Sequence, residues 1–260
     1  MALSPPNVRS RFVRYRHVGI GAVCILAAGC DGAEVAPRPQ PTTPATATVA
    51  RASADTLATN AALRAVFGVE RGGIVRLDGV EVRFDDGRLI RPDTTPILVA
   101  RGQRLSAAHP DKGFLGIWYL APHGDGFRVT GRHPGSVRAG SFGDPPDWTL
   151  RRDLGTYPVI QATGFGQWFG HGHACTTLVA LRPQRPVLLA RDILTGYNFD
   201  PGDDPAQHEP RETIDGSIAY DRARDALIVT YRGTVRQTVL YRYRDGEYRA
   251  PQVGNNLDRC

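Results

Sequence analysis

Lysine is nearly missing from this 260-residue chain: of 32 basic residues, 31 are arginine and Lys112 is the one lysine. Long apolar runs are scarce as well, and only residues 18–28 approach membrane length, which excludes a multi-span membrane protein. No heptad repeat sustains a coiled coil, and the 29 glycines keep no triplet spacing, so a collagen-like chain is excluded too. Cysteine is confined to positions 24, 30, 175 and 260. With 41% hydrophobic residues the chain can still bury a core, in one large domain or two small ones, and disorder throughout is ruled out.

The formal charge of +6 suggests a nucleic-acid partner until its distribution is read. Arg9, Arg11, Arg14 and Arg16 precede the apolar run with no acid among them. Without residues 1–29 the balance is 28 basic against 26 acidic groups, or +2. A body so close to neutrality gains little from counterion release on phosphates, so no nucleic-acid partner is expected.

A basic stretch, an apolar run of about a dozen residues and a small-residue ending describe an export signal, too short for a permanent span. Its end, Leu26-Ala27-Ala28-Gly29-Cys30, resembles the lipobox of bacterial lipoproteins, with Ala27 where that family favours leucine. The resemblance implies cleavage before Cys30, a lipid on the Cys30 sulfur, and anchorage at the periplasmic face of a bacterial membrane. Asp31 resembles the enteric signal for retention on the inner membrane. The arginine bias points to a GC-rich genome in which that rule need not hold, so inner and outer membranes both stay open. An ordinary secretory signal, with Cys30 incidental, is the alternative.

In that setting Cys24 leaves with the signal and Cys30 takes lipid. Cys175 and Cys260 are then the pair left for a disulfide in an oxidising compartment. The alternative is a buried free thiol at Cys175 and a loose one at Cys260.

Residues 30–52 are rich in Pro, Ala and Thr, cannot bury apolar area, and read as a tether from lipid to body. Residues 53–260 follow as a single β-rich domain. Its first segment, 53–67, is the one convincing helix, with Ser53 or Asp55 as cap and Gly68 as stop. Past Gly68, short alternating runs take over at 74–77, 80–84 and 88–90. Asp-Gly pairs at 78–79, 86–87, 125–126 and 245–246 separate such runs and predict hairpin turns, whose positive φ glycine tolerates. Further strands are expected at 116–120, 127–130, 156–163, 175–181, 187–190, 214–220, 227–231, 235–243 and 247–248. The expected fold class is mainly β: many short antiparallel strands in a sandwich, a barrel or an irregular propeller, with one N-terminal helix. No repeat of fixed length marks a regular propeller.

The series Leu115-Gly-Ile-Trp-Tyr119, Gly126-Phe-Arg-Val129, Gly140-Ser-Phe-Gly143, Thr163-Gly-Phe-Gly-Gln167 and Thr177-Leu-Val-Ala-Leu-Arg182 resembles a loose group of exported bacterial proteins of unknown function. The tyrosine-rich close at 239–248 fits the same group. The resemblance implies a β fold and carries no activity with it.

Chemistry concentrates in three places. In residues 164–175, His171, His173 and Cys175 fall on one face if the segment is a strand, a donor set suited to zinc or copper. A further ligand would have to come from His208, Glu209 or His123. The opposing reading is a glycine-rich loop with solvated histidines and Cys175 in a disulfide, which removes the thiolate. Residues 198–212 gather Asp200, Asp203, Asp204, Glu209 and Glu212, hard donors suited to calcium, although no EF-hand pattern is met; a solvated, proline-stiffened loop is the other reading. Ala139-Gly-Ser141-Phe-Gly143 echoes a nucleophile elbow, but Asp144-Pro-Pro-Asp147 forbids the helix that an elbow needs. Gln167, Trp168 and Phe169, flanked by glycines, form a candidate binding tip, unless the rings plug the end of the core.

Three functions follow as expectations. The first is a lipid-anchored periplasmic binding module, of the inhibitor or immunity type, meeting a periplasmic protein or a cell-wall ligand, with no cofactor. The second is a zinc-dependent envelope enzyme centred on His171 and His173. The third is a structural envelope lipoprotein.

Overall fold

A computed structural model describes residues 45–199 and 211–251 together with Leu257 and Cys260. The signal segment, the Cys30 lipidation site and the tether up to residue 44 lie outside the described residues. The helix α1 spans Ala45–Phe67 and thirteen strands follow it. They are β1 (Gly73–Leu77), β2 (Val80–Ile90), β3 (Ile97–Arg104), β4 (Gly113–His123), β5 (Gly126–Ala139), β6 (Asp147–Arg151) and β7 (Val159–Trp168). After them come β8 (His171–Arg182), β9 (Arg185–Phe199), β10 (Glu212–Asp221), β11 (Ala226–Gly233), β12 (Gln237–Arg244) and β13 (Glu247–Arg249).

The strands form two antiparallel meanders, one running β1 to β5 and the other β6 to β13, each strand paired with its neighbour in sequence. Of the three β architectures left open by the sequence, the packed-sheet one is found. One face of the first sheet (Ile97, Val99, Leu115, Ile117, Tyr119) meets Ile160, Ala162, Val179 and Leu181 of the second. The opposite face (Leu98, Ala100, Phe114, Trp118, Leu120) receives Ala62 and Leu63 of α1. β3 and β4 are therefore buried on both sides, and their apolar runs are continuous rather than alternating. The second sheet rolls so that β13 returns to β9, where Arg191 and Glu247 pair. Inside the roll lie Ile214, Ile218, Leu227, Val229, Tyr231, Val239 and Tyr241, with Leu257 of the C-terminal segment among them.

The helix begins at Ala45 rather than at residue 53, inside the segment expected to be tether. Alanine and threonine continue after Pro44 without another proline, so nothing interrupts the helical backbone until Gly68. Gly68, at φ 81, closes the helix as expected, its N–H donating to the Arg64 carbonyl at 2.9 Å. No helix among the described residues is long and apolar enough to cross a membrane.

Two of the four Asp-Gly pairs make the expected turns. Asp78-Gly79 and Asp245-Gly246 each hold positive φ at both positions, between Leu77 and Val80 and between Arg244 and Glu247. At Asp125 the hairpin exists but its loop is Gly124-Asp125, one residue earlier, with positive φ at Gly124 alone. Asp86-Gly87 is no turn: it is a bulge within β2. A Cβ at Gly87 would lie 2.6 Å from Leu63 Cδ2, so glycine here admits the helix rather than reversing the chain. β3 and β6 were not among the expected strands, and β9 runs well past 187–190 because a bulge at Asp192 (φ 55) lets it continue.

Candidate functional site

Residues 164–172 are not a loop. β7 and β8 run straight to a two-residue turn, Phe169-Gly170, with Trp168 opposite His171 and Gly166 opposite His173. Both turn residues have positive φ, 45° and 83°, which matches the twist of the strands. Glycine suits that geometry, whereas phenylalanine is an unusual choice for it. Phe169 is 82% exposed, the most exposed large apolar residue among those described, and Trp168 is 55% exposed.

β6 pairs with β7 only up to Thr163, so among the described residues the edge of β7 from Gly164 to Trp168 has no neighbouring strand on that side. Two side chains from elsewhere in the chain cover it. Ser141 Oγ donates to the Phe165 carbonyl at 3.1 Å, and His109 Nε2 donates to the Gln167 carbonyl at 2.7 Å. Such covering blunts an edge that would otherwise pair with any passing strand. Ser141 thus locks this edge, and a strand rather than a helix follows it.

The loop after β3 and the loop after β5 that supply these locks are themselves zipped together. Phe142 N–H donates to the His109 carbonyl (3.1 Å), Gly143 N–H to the Asp111 carbonyl (2.8 Å), and Arg104 N–H to the Gly143 carbonyl (3.0 Å). An Arg104–Asp111 ion pair at 2.6 Å lies beneath them. A Cβ at Gly143 would meet Ala107 Cβ at 2.6 Å, so only glycine permits this approach. Phe142 is left exposed, again at positive φ (52°).

A row of rings results. Phe142, His109, Trp168 and Phe169 follow one another with centroids 4.5, 4.4 and 4.7 Å apart, mostly edge to face. Across the hairpin His171 shares the face of Trp168. Its ring stacks on Phe199 at 4.3 Å, its Nδ1 shares a hydrogen bond of 2.8 Å with the Tyr197 hydroxyl, and His173 lies 5.3 Å from Tyr197. Phe165 is exposed on the hairpin's other face, as strand alternation requires. Residues 164–172 carry no acid, lysine or arginine, and Glu212 pairs in register with Phe199, on which His171 stacks.

The structure therefore gathers Trp168 and Phe169 into one surface and adds His109 and Phe142, which sequence reasoning did not single out, whereas Gln167 is exposed on the face of β7 that carries Phe165 and joins the row through its carbonyl alone. The metal donors are not gathered in the same way. His171 and His173 share a face, but Cys175 is bonded to Cys260, with their Cα atoms 5.8 Å apart. A disulfide sulfur offers no thiolate to zinc. His123 ends β4 in the other sheet, and among the described residues no three His, Cys, Asp or Glu side chains come together. Asp200, Asp203, Asp204, His208 and Glu209 lie outside the described residues.

Comparison of the chain with known protein families, with curated proteins and with solved structures finds no match.

Proposed function

We propose that this chain is a lipid-anchored binding module at the periplasmic face of a bacterial membrane, docking through the Trp168–Phe169 hairpin tip onto a periplasmic protein or a cell-wall ligand. The observation that carries the reading is the pair Phe142 and Phe169, bulky, exposed and both held at positive φ. A non-glycine residue held in that region costs of order 1–3 kcal/mol, and an unfavourable residue kept at an exposed site is best explained by what its ring contacts. Rigid aromatic anchors at the centre of a contact patch commonly supply most of its energy. The lipobox ending at Cys30 and a cysteine pair able to oxidise support the periplasmic address.

Two experiments test the reading. Palmitate should label the chain in growing cells and Cys30→Ser should abolish the label; an unlabelled, unprocessed chain in the cytoplasm contradicts the address. A photo-crosslinking residue at position 167 should capture a discrete envelope component, and capture should fall with Trp168→Ala. Undiminished capture contradicts the docking surface.

A further inference from the structure

Resting on the reading that the ring row is the docking surface, we infer that its occupant is an uncharged saccharide chain, as found in cell-wall polymers. Three features of the row select that chemistry. The hairpin tip, residues 164–172, carries no formal charge, so neither a phosphate-rich nor a strongly charged peptide ligand finds an opposite charge on it. The row's rings alternate with hydrogen-bonding groups: the His109 imidazole sits between Phe142 and Trp168, and His171 lies across the turn from Trp168. A pyranose ring is built in the same alternation, with apolar C–H faces that lie on aromatic rings and hydroxyls that point outward.

The row is also held ready. The locks from Ser141 and His109 to the edge of β7, and the three backbone bonds between the loops, fix its loops before any ligand arrives. Sugars bind weakly through each contact, so a surface ordered in advance avoids the cost of ordering loops on binding. The covered edge of β7 further disfavours a peptide added as a strand, because the carbonyls of Phe165 and Gln167 already have donors.

The test is a titration of the full-length protein with N-acetylglucosamine hexamer, followed by tryptophan emission and calorimetry, beside neutral phosphatidylcholine vesicles. Of the three tryptophans, Trp118 is 2% exposed and Trp148 is partly buried beneath the Arg88 guanidinium, so a sugar-dependent emission change is assigned to Trp168 where Trp168→Ala abolishes it. The inference expects saturable binding that weakens at least tenfold in Trp168→Ala and severalfold in Phe142→Ala, with the denaturation midpoint of Trp168→Ala near wild type. Binding that survives Trp168→Ala overturns it, as does partition onto vesicles without response to the hexamer. No response to the hexamer, with position 167 still capturing an envelope protein in a Trp168-dependent way, overturns the saccharide and leaves the docking surface standing. Failure of both overturns the two together.

Discussion

His109 donates its Nε2–H to the carbonyl of Gln167, 58 residues further on, across a 2.7 Å hydrogen bond. That bond joins the first sheet's loop to the otherwise bare edge of the second sheet's hairpin, and the same imidazole packs between Phe142 and Trp168. His109→Ala removes the donor and both ring contacts. A loss of about 1–2 kcal/mol is expected from one hydrogen bond and the aromatic packing. Denaturant unfolding measures it, and acrylamide should quench Trp168 more readily in the variant. A stability loss with unchanged quenching would place the effect elsewhere.

The Cys175–Cys260 disulfide spans 85 residues and holds the chain end against the rolled sheet, where Leu257 is buried. In the chain-entropy view a loop of that length is worth about 4–5 kcal/mol. Cys260→Ser should lower stability by about that amount, and reductant should have no further effect on the variant. Equal stability of the variant and the oxidised wild type would show that the bridge does not form.

Tyr119 is buried between the sheets, and its hydroxyl finds no hydrogen-bond partner among the described residues. Burial raises its pKa above the ordinary tyrosine range. An unmet buried hydroxyl costs about 1–3 kcal/mol, so Tyr119→Phe should stabilise the protein, by about 1 kcal/mol after relaxation. A fall in the unfolding midpoint of this variant would mean the hydroxyl is satisfied in solution.

Asp225 accepts hydrogen bonds from Tyr220 (2.7 Å) and Tyr248 (2.8 Å), which hold its carboxyl below the usual carboxylate range. A depressed folded pKa gives stability that is complete above the unfolded value, about 3.9, and lost as pH falls through the folded one. The group is exposed, so the contribution is below about 1 kcal/mol. The stability difference between wild type and Asp225→Asn should be flat above about pH 5 and shrink as the pH falls below about 4. A difference that widens on acidification has the wrong sign. Asparagine is the right replacement because it tolerates the φ of 44° found here.

Much of the fold was legible because turn chemistry is local. Asp78-Gly79 and Asp245-Gly246 carry their turn in two residues and need nothing distant to confirm it. Asp86-Gly87 has the same two residues and became a bulge, because what decides its role is Leu63 on a helix more than twenty residues earlier. β3 escaped notice for a similar reason: Ile97, Leu98, Val99 and Ala100 are buried on both faces, which erases the alternation by which a strand is read. At the site, Trp168 and Phe169 stood out through their flanking glycines. His109 and Phe142 could not, since only the closing of two loops onto the hairpin gives them a common surface. The zinc expectation combined a correct strand period with a thiol that the chain end had already claimed.

The most direct test of the docking surface is Phe169→Asn, read by photo-capture from position 167 in intact envelopes. Asparagine before Gly170 is the favoured pairing for this turn, so the variant should be about 1 kcal/mol more stable than wild type. With the ring gone, capture should fall at least fivefold despite the firmer fold. Capture at the wild-type level in a stabilised variant would show that the phenylalanine serves no partner, and the binding role assigned to the hairpin tip would fall with it.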